Sequence, residues 1–226
     1  TETDLAVEVA VRAWLTEETG IAVIGEEEGA TGSVDGLAWI VDPIDGTTNF
    51  AHRHPYFAVS IGLADMSVPG GEPLLGCVHA PMMDEVFWCD TRGAWLGAEP
   101  LPPMRDVPLD VALLATGFPY DRRTNPDNNT NIANAMLVRC QGIRRMGAAA
   151  LDLAWLAAGR VDGFWELRLK PWDCAAGAAL VRSVGGVVVD QSGAPHRLTS
   201  DVLVGGGPSL VREMLEVIDT VRPPAA

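Results

Sequence analysis

The sequence predicts a mixed, layered α/β fold, and three observations carry that expectation. Apolar, strand-like runs alternate with helix-like segments along all 226 residues. Gly- and Pro-bearing turns such as Pro69-Gly70-Gly71 punctuate them, and no internal repeat or low-complexity block interrupts the alternation. The order of the layers does not follow from this pattern. The length suits a single unit over 1–226, built of two closely packed lobes at about 1–105 and 106–226. The proline-rich stretch 101–110 would join them.

The first element is a helix over 4–19, with Glu8 and Arg12 four residues apart amid Ala, Val, Leu and Trp. Asp4, preceded by Thr3, is placed to cap its start. Residues 21–25 form a short strand, 26–36 an acidic, glycine-bearing loop, and 37–41 a second strand ending abruptly at Asp42-Pro43. Strand-like runs follow at 56–64, 74–80 and 85–90, and beyond the proline-rich stretch at 111–116. A polar loop occupies 120–131, a helix 148–158 and a strand 161–167. The helix over 174–184 is stopped by Gly185-Gly186, strands follow at 187–190 and 202–205, and a helix opened by Pro208 runs to 217.

Thirty acidic residues against 16 basic ones give a net charge of −14. That disfavours a nucleic-acid surface, which needs clustered Lys and Arg. An acidic chain can hold an anionic substrate only where something inverts the local field, as a bound divalent cation does. The four cysteines (Cys77, Cys89, Cys140, Cys174) lack metal-site or disulfide-framework spacing. No run is apolar enough to span a bilayer and no signal peptide is visible, so a cytoplasmic protein without membrane contact is expected.

Asp42-Pro43-Ile44-Asp45-Gly46-Thr47-Thr48-Asn49-Phe50 is the most informative segment. Two carboxylates stand three residues apart at a strand end, where α/β folds commonly place ligands. Gly46 permits close backbone approach, and Thr47-Thr48 can open a helical turn whose free N–H groups face an oxyanion. Carboxylate oxygens beside anion-binding amides suit magnesium and phosphate. Alone, such a segment is an ordinary turn. Gly25-Glu26-Glu27-Glu28 alone is a solvated loop, and Asp173 in Trp172-Asp173-Cys174-Ala175-Ala176-Gly177 alone is a helix cap. His52 and His54 read as an exposed turn, Cys174 as a small buried filler, the tryptophans as core or rim packing, and Arg144-Arg145 as a basic pair at an interface or pocket rim.

Together, in this order, the three segments resemble the signatures of the inositol monophosphatase family, and the likeness covers nearly the whole chain. The resemblance implies the αβαβα sandwich of the inositol monophosphatase and fructose-1,6-bisphosphatase type, usually homodimeric. It implies a phosphatase that hydrolyses a phosphate monoester, myo-inositol 1-phosphate first, by direct attack of metal-activated water, and that is sensitive to lithium. Glu26, Asp42, Asp45, the Ile44 carbonyl and Asp173 would hold two or three Mg²⁺ ions. Two cations about 3.5–4 Å apart can serve both the attacking and the leaving oxygen. Glu26 and Thr47, supported by Asp4, would be catalytic, and the Gly46 and Thr47 amides would hold phosphate. Gly147, Ala148, Ala149 and Glu166 would line the alcohol side, with Ile44, Asp45 and Asp173 also touching substrate.

Two departures stand out: Ala148 replaces a usual hydroxyl residue, and a further helical segment with a lysine, which the family has ahead of Asp4, is missing. The native N-terminus is accordingly expected upstream of Thr1. Alternative substrates are fructose 1,6-bisphosphate, histidinol phosphate or a nucleotide 3′-phosphate. A non-enzymatic role as a binding partner of transcription machinery is the other alternative.

Overall fold

The structure, a computed structural model, describes residues 1–30 and 34–222. Residues 31–33 of the loop expected at 26–36 lie outside them. Helix α1 (Glu2–Thr19) starts the chain and is ended by Gly20 in the left-handed conformation, φ 66°. The first sheet contains β1 (Ala22–Gly25), β2 (Gly29–Ala30), β3 (Leu37–Asp45), β4 (Ala58–Asp65), β5 (Glu72–Ala80), β6 (Glu85–Asp90), β7 (Gly93–Leu96) and β8 (Glu99–Pro100). Their order is β2-β1-β3-β4-β5-β6-β7-β8, with only β1 and β3 parallel. The short helix α2 (Thr47–Ala51) leaves the end of β3.

The second sheet contains β9 (Leu113–Thr116), β10 (Gly142–Arg144), β11 (Gly163–Leu167), β12 (Val187–Val189) and β13 (Val202–Gly206), in the order β10-β9-β11-β13-β12. The remaining helices are α3 (Thr130–Leu137), α4 (Ala149–Ala157), α5 (Pro171–Ser183) and α6 (Pro208–Val221). Helix α1 lies on β1 and β3, α4 and α5 fill the space between the sheets, and α3 with α6 covers the far side of the second sheet. The layers are therefore α, β, α, β, α, the sandwich that the resemblance implied.

Local chemistry explains where the elements depart from the sequence reading. Helix α5 begins at Pro171 rather than 174, because proline has the φ a first helical turn needs and loses no bonded N–H there. Asp173 is thus inside the first turn. The loop expected at 26–36 contains β2, a two-residue strand hidden by its acidic surroundings. Helix α3 and strand β10 were not foreseen, since Thr130-Asn131 and the three-residue strand carry little periodic signal. Trp14, read as packing, stands 59% exposed on α1.

Helix α5 is squeezed from both faces, and its composition follows from that. Cys174, Ala175, Ala176, Gly177, Ala178, Ala179, Leu180 and Val181 are all buried, as expected of a helix apolar all round. Small residues let backbones approach. A Cβ on Gly76 of β5 would stand 2.3 Å from the Ala176 carbonyl oxygen, and one on Gly177 would stand 2.4 Å from Leu153 Cβ of α4. Gly76→Ala is therefore expected to destabilise by about 2–3 kcal/mol through overpacking against rigid backbone. Gly142→Ala, whose Cβ would meet nothing nearer than 3.5 Å, should stay within about 0.5 kcal/mol. Urea denaturation of both variants checks the contrast, and equal midpoints would refute it.

Candidate active site

A strand alternates its side chains, so residues three apart, such as Asp42 and Asp45, should face opposite sides of the sheet. They do not. Asp42 pairs with Ser60 and Asp45 with Ala58, so Pro43 and Ile44 together oppose the single residue Val59. This bulge inserts one extra residue and turns both carboxylates to the inner face. Pro43 suits the position because it has no N–H to place in the ladder. The Ile44 N–H, freed from the ladder, donates to Asp42 Oδ1 at 2.9 Å. Both aspartates are buried.

The fold then brings other elements onto this strand end. Asp45 accepts from the backbone N–H groups of Ala149 (3.0 Å), Ala150 (2.8 Å) and Leu151 (3.2 Å), the first turn of α4. Ala148, the cap residue of α4, offers no side-chain oxygen, so Asp45 does that work from the other sheet. Asp173 accepts from the Lys170 N–H at 2.7 Å across the first turn of α5. Asn49 donates to the carbonyls of Tyr56 (2.7 Å) and Met146 (2.8 Å), tying the α2 turn to the segment that leads into α4.

Glu26 is held differently. Its turn hangs from α1 through Glu8, a fully buried carboxylate that accepts from the N–H groups of Glu27 (2.8 Å) and Glu28 (3.0 Å). Arg12 completes the brace, donating to Glu8 (3.0 Å) and to the carbonyls of Val23 (2.8 Å) and Gly29 (2.9 Å). Glycine at 25 leaves room for this brace, because a Cβ there would stand 2.2 Å from the Glu8 carboxylate and push it off its bonds. The pairing of Glu8 with Arg12 within α1 is expected from their spacing, but their bonds to the Glu26 turn are not. The glycine preceding Glu26 was the available signal. Asp4 is likewise buried, and its Oδ1 lies 3.2 Å from the Thr47 hydroxyl, which is also 3.1 Å from the Ile44 carbonyl. Gly46, at φ 92°, lets the chain turn into α2, and no side chain caps that helix.

A cavity of about 280 Å³ opens onto this cluster, lined among others by Asp45, Thr47, Gly147, Ala148, Glu166 and Asp173. A larger hollow of about 680 Å³ lies elsewhere, between the start of α3 and the end of α6. Of the charged residues that line it, Asp127 and Asp201 are both already paired with Arg222. Behind Asp45, buried Asp152 accepts from the Tyr56 hydroxyl at 2.7 Å. The basic pair divides: Arg145 borders the cavity, Arg144 does not.

Crowding sets the electrostatics. Glu26 is exposed at the rim of the cluster, yet partial desolvation by its neighbours, then the charges of Asp173 and Glu27, raises it to about 7. Burial, then Asp45, Glu26 and Asp173, holds Asp42 far above the usual carboxylate range. Asp45 is also raised, by burial and Asp173, against the pull of the α4 N–H groups. Burial lifts Asp173 to about 6, offset by the Lys170 N–H. Glu166 is raised by burial and by Asp152, and lowered by Arg145. No basic side chain figures among the main influences on Glu26, Asp42 or Asp45. Among the described residues no three His, Cys, Asp or Glu side chains stand close enough to hold a metal ion as placed. Asp45 and Asp173 are turned onto backbone N–H groups instead. In kind, however, the donor set fits a hard divalent cation: carboxylates and a carbonyl, crowded and short of positive charge.

Comparison with known proteins follows the same lines. Residues 1–219 match the inositol monophosphatase family. The Escherichia coli (strain K12) protein named Nus factor SuhB is 42% identical over 195 residues, 85% of this chain and 72% of that one. An inositol-1-monophosphatase from Synechocystis sp. is 39% identical over 199 residues, 87% of this chain and 68% of that one. The solved structure of inositol monophosphatase from Anabaena (Nostoc) sp. superposes with a TM-score of 0.91 at 37% identity, over 97% of this chain and 87% of that one. The chain belongs to the inositol monophosphatase family.

Proposed function

We propose that this chain is a Mg²⁺-dependent phosphatase that hydrolyses the phosphate monoester of a compact polyol, myo-inositol 1-phosphate first, and works as a homodimer. One observation carries the reading: the bulge at Pro43-Ile44 turns Asp42 and Asp45 to one face, beside the uncapped first turn of α2 and the Thr47 hydroxyl. Glu26, Asp42, the Ile44 carbonyl, Asp45 and Asp173 are the groups that would hold two or three ions. Bound there, magnesium would neutralise phosphoryl oxygens and acidify water.

The chain's own residues supply the rest. The free N–H groups of Gly46 and Thr47 bind phosphoryl oxygens at a helix start. Thr47 has one proton, and Asp4 and the Ile44 carbonyl both compete to accept it. Its lone pairs are thereby left to accept from the attacking water, with Glu26 the nearby base. Glu166 and the backbone at Gly147, Ala148 and Ala149 bond the alcohol's hydroxyls. Ala148 lacks the hydroxyl that would add one contact.

A second reading is a protein partner of transcription machinery, favoured by the name of the Escherichia coli relative. The net charge of −14 directs such a role toward protein rather than nucleic-acid contacts. Mg²⁺-dependent turnover at background on every ester would promote it.

Three outcomes are expected. Asp42→Asn should lower Mg²⁺ affinity and turnover together, the latter about a hundredfold. Initial rates on inositol 1-phosphate across a magnesium titration read both, and wild-type behaviour would remove Asp42 from the site. Thr47→Val should cost about 10²-fold or more in kcat while Thr47→Ser retains most of it. Equal losses in the two variants would sink the role of the hydroxyl. The third concerns pH. Glu26 at about 7 and Asp173 at about 6 are acids raised above their ordinary values. The stability tied to their protonation is complete below about pH 4 and lost as pH climbs through 6 to 7. The chelator-treated protein should melt progressively lower from pH 5 to 8, while the increase produced by Mg²⁺ grows over that span. Thermal melts with and without Mg²⁺ test this, and a pH-independent melting temperature with no Mg²⁺ effect would count against the cluster.

A further inference from the structure

Arg168 follows the last residue of β11 with φ 57°, a backbone conformation that suits glycine and strains an arginine. Its side chain shows what holds it there. One guanidinium nitrogen donates to Asp127 Oδ2 at 3.0 Å, and the other lies 3.4 Å from Asp121 Oδ1 and also bonds the Asp127 carbonyl. Both acids belong to segment 117–129, which links β9 to α3 and supplies Gly117, Phe118, Pro119, Tyr120 and Arg122 to the wall of the cavity.

The ends of this segment are anchored independently. Asn129, buried at φ 71°, donates to Thr116 Oγ1 (2.9 Å) and to the Gly117 carbonyl (2.5 Å), and accepts from Trp165 Nε1 at 2.7 Å. The middle has weaker ties. Turn bonds hold it to itself, as between the Arg122 N–H and the Pro119 carbonyl (3.1 Å), and Tyr120 stands 95% exposed at the cavity mouth. Among the described residues, the other ion pair onto it comes from Arg222 at the end of α6, whose Nε and Nη2 grip the same Asp127 at 2.8 Å each. Among the described residues, Arg168 is therefore the cavity-lining residue that ties this wall to the second sheet by charge.

We infer that Arg168 is a positioning residue that determines specificity: its fork on Asp121 and Asp127 fixes segment 117–129 as a wall and thereby limits the size of the alcohol accepted. The inference rests on the reading of this cavity as the alcohol half of a phosphatase site. Planar, bidentate geometry makes arginine suited to the task and lysine a poor substitute. A cavity of about 280 Å³ is at the small end for ligand sites, which suits a compact polyol.

Arg168→Gly removes the fork and relieves the backbone at once, so folding and selectivity should separate. The melting temperature should hold or rise. KM for inositol 1-phosphate should increase about fivefold or more, with the loss falling on KM more than on kcat. The preference for inositol 1-phosphate over a bulky ester such as adenosine 2′-phosphate, as a ratio of kcat/KM values, should narrow. Arg168→Lys should behave like the glycine variant in selectivity, and Asp127→Asn should loosen the same wall from the other side. An unaltered ratio in Arg168→Gly, or a uniform loss on both esters with a fallen melting temperature, overturns the inference. Hydrogen exchange of 117–129 gives a readout free of turnover. Exchange accelerated in Arg168→Gly supports the clamp and unchanged exchange overturns it. Failure of the wild type to hydrolyse any ester would defeat the proposed activity alone, leaving the clamp to be judged by exchange.

Discussion

Everything in the site depends on holding like charges together inside a protein. Asp42 and Asp45 are buried side by side, with Asp173 close enough to raise the proton affinity of both and Glu26 that of Asp42. Such crowding opposes folding unless protons, N–H dipoles or a cation offset it. One of those remedies, the N–H dipole, is visible at two of the acids. The α4 N–H groups solvate Asp45 and the Lys170 N–H solvates Asp173. Helix starts thus stabilise the anions that sequence alone would leave unsupported.

The middle layer makes the crowding possible. The Ala- and Gly-rich face of α5 lets that helix approach β4 and β5 closely, and this approach brings Asp173 up to the end of β3. Bulkier residues would separate the layers and withdraw one carboxylate from the others. Packing and chemistry are set by the same small side chains.

Much of this was legible in the sequence, for local reasons. The D-P-I-D-G-T-T-N-F segment, G-E-E and W-D-x-A-A-G each carry turn, cap or strand-end chemistry within a few residues, and their order adds specificity. Most strands and the α4, α5 and α6 helices showed through apolar runs and Gly or Pro boundaries. What stayed hidden was non-local. The bulge at Pro43-Ile44 exists only relative to β4, so the strand was read as ending at residue 41. Glu8 reads only as the partner of Arg12 until Glu27 and Glu28 fold back 19 and 20 residues later. Arg168 has no meaning before the loop around Asp127, 41 residues upstream, lies against it. Asp45 as the cap of α4 spans 104 residues or more, beyond the reach of any pattern.

The brace between α1 and the Glu26 turn has a mechanical consequence. Asp4 belongs to α1, the Glu26 turn is tied to that helix through Glu8 and to β3 through the Glu26 N–H on the Val41 carbonyl (3.3 Å), Asp42 and Asp45 belong to β3, and Asp173 belongs to α5. Three elements therefore meet at one cluster of like charge. A ligand that bridged these acids would join the outer helix, the sheet and the central helix, so neutralising one cluster would stabilise the contacts between all three layers.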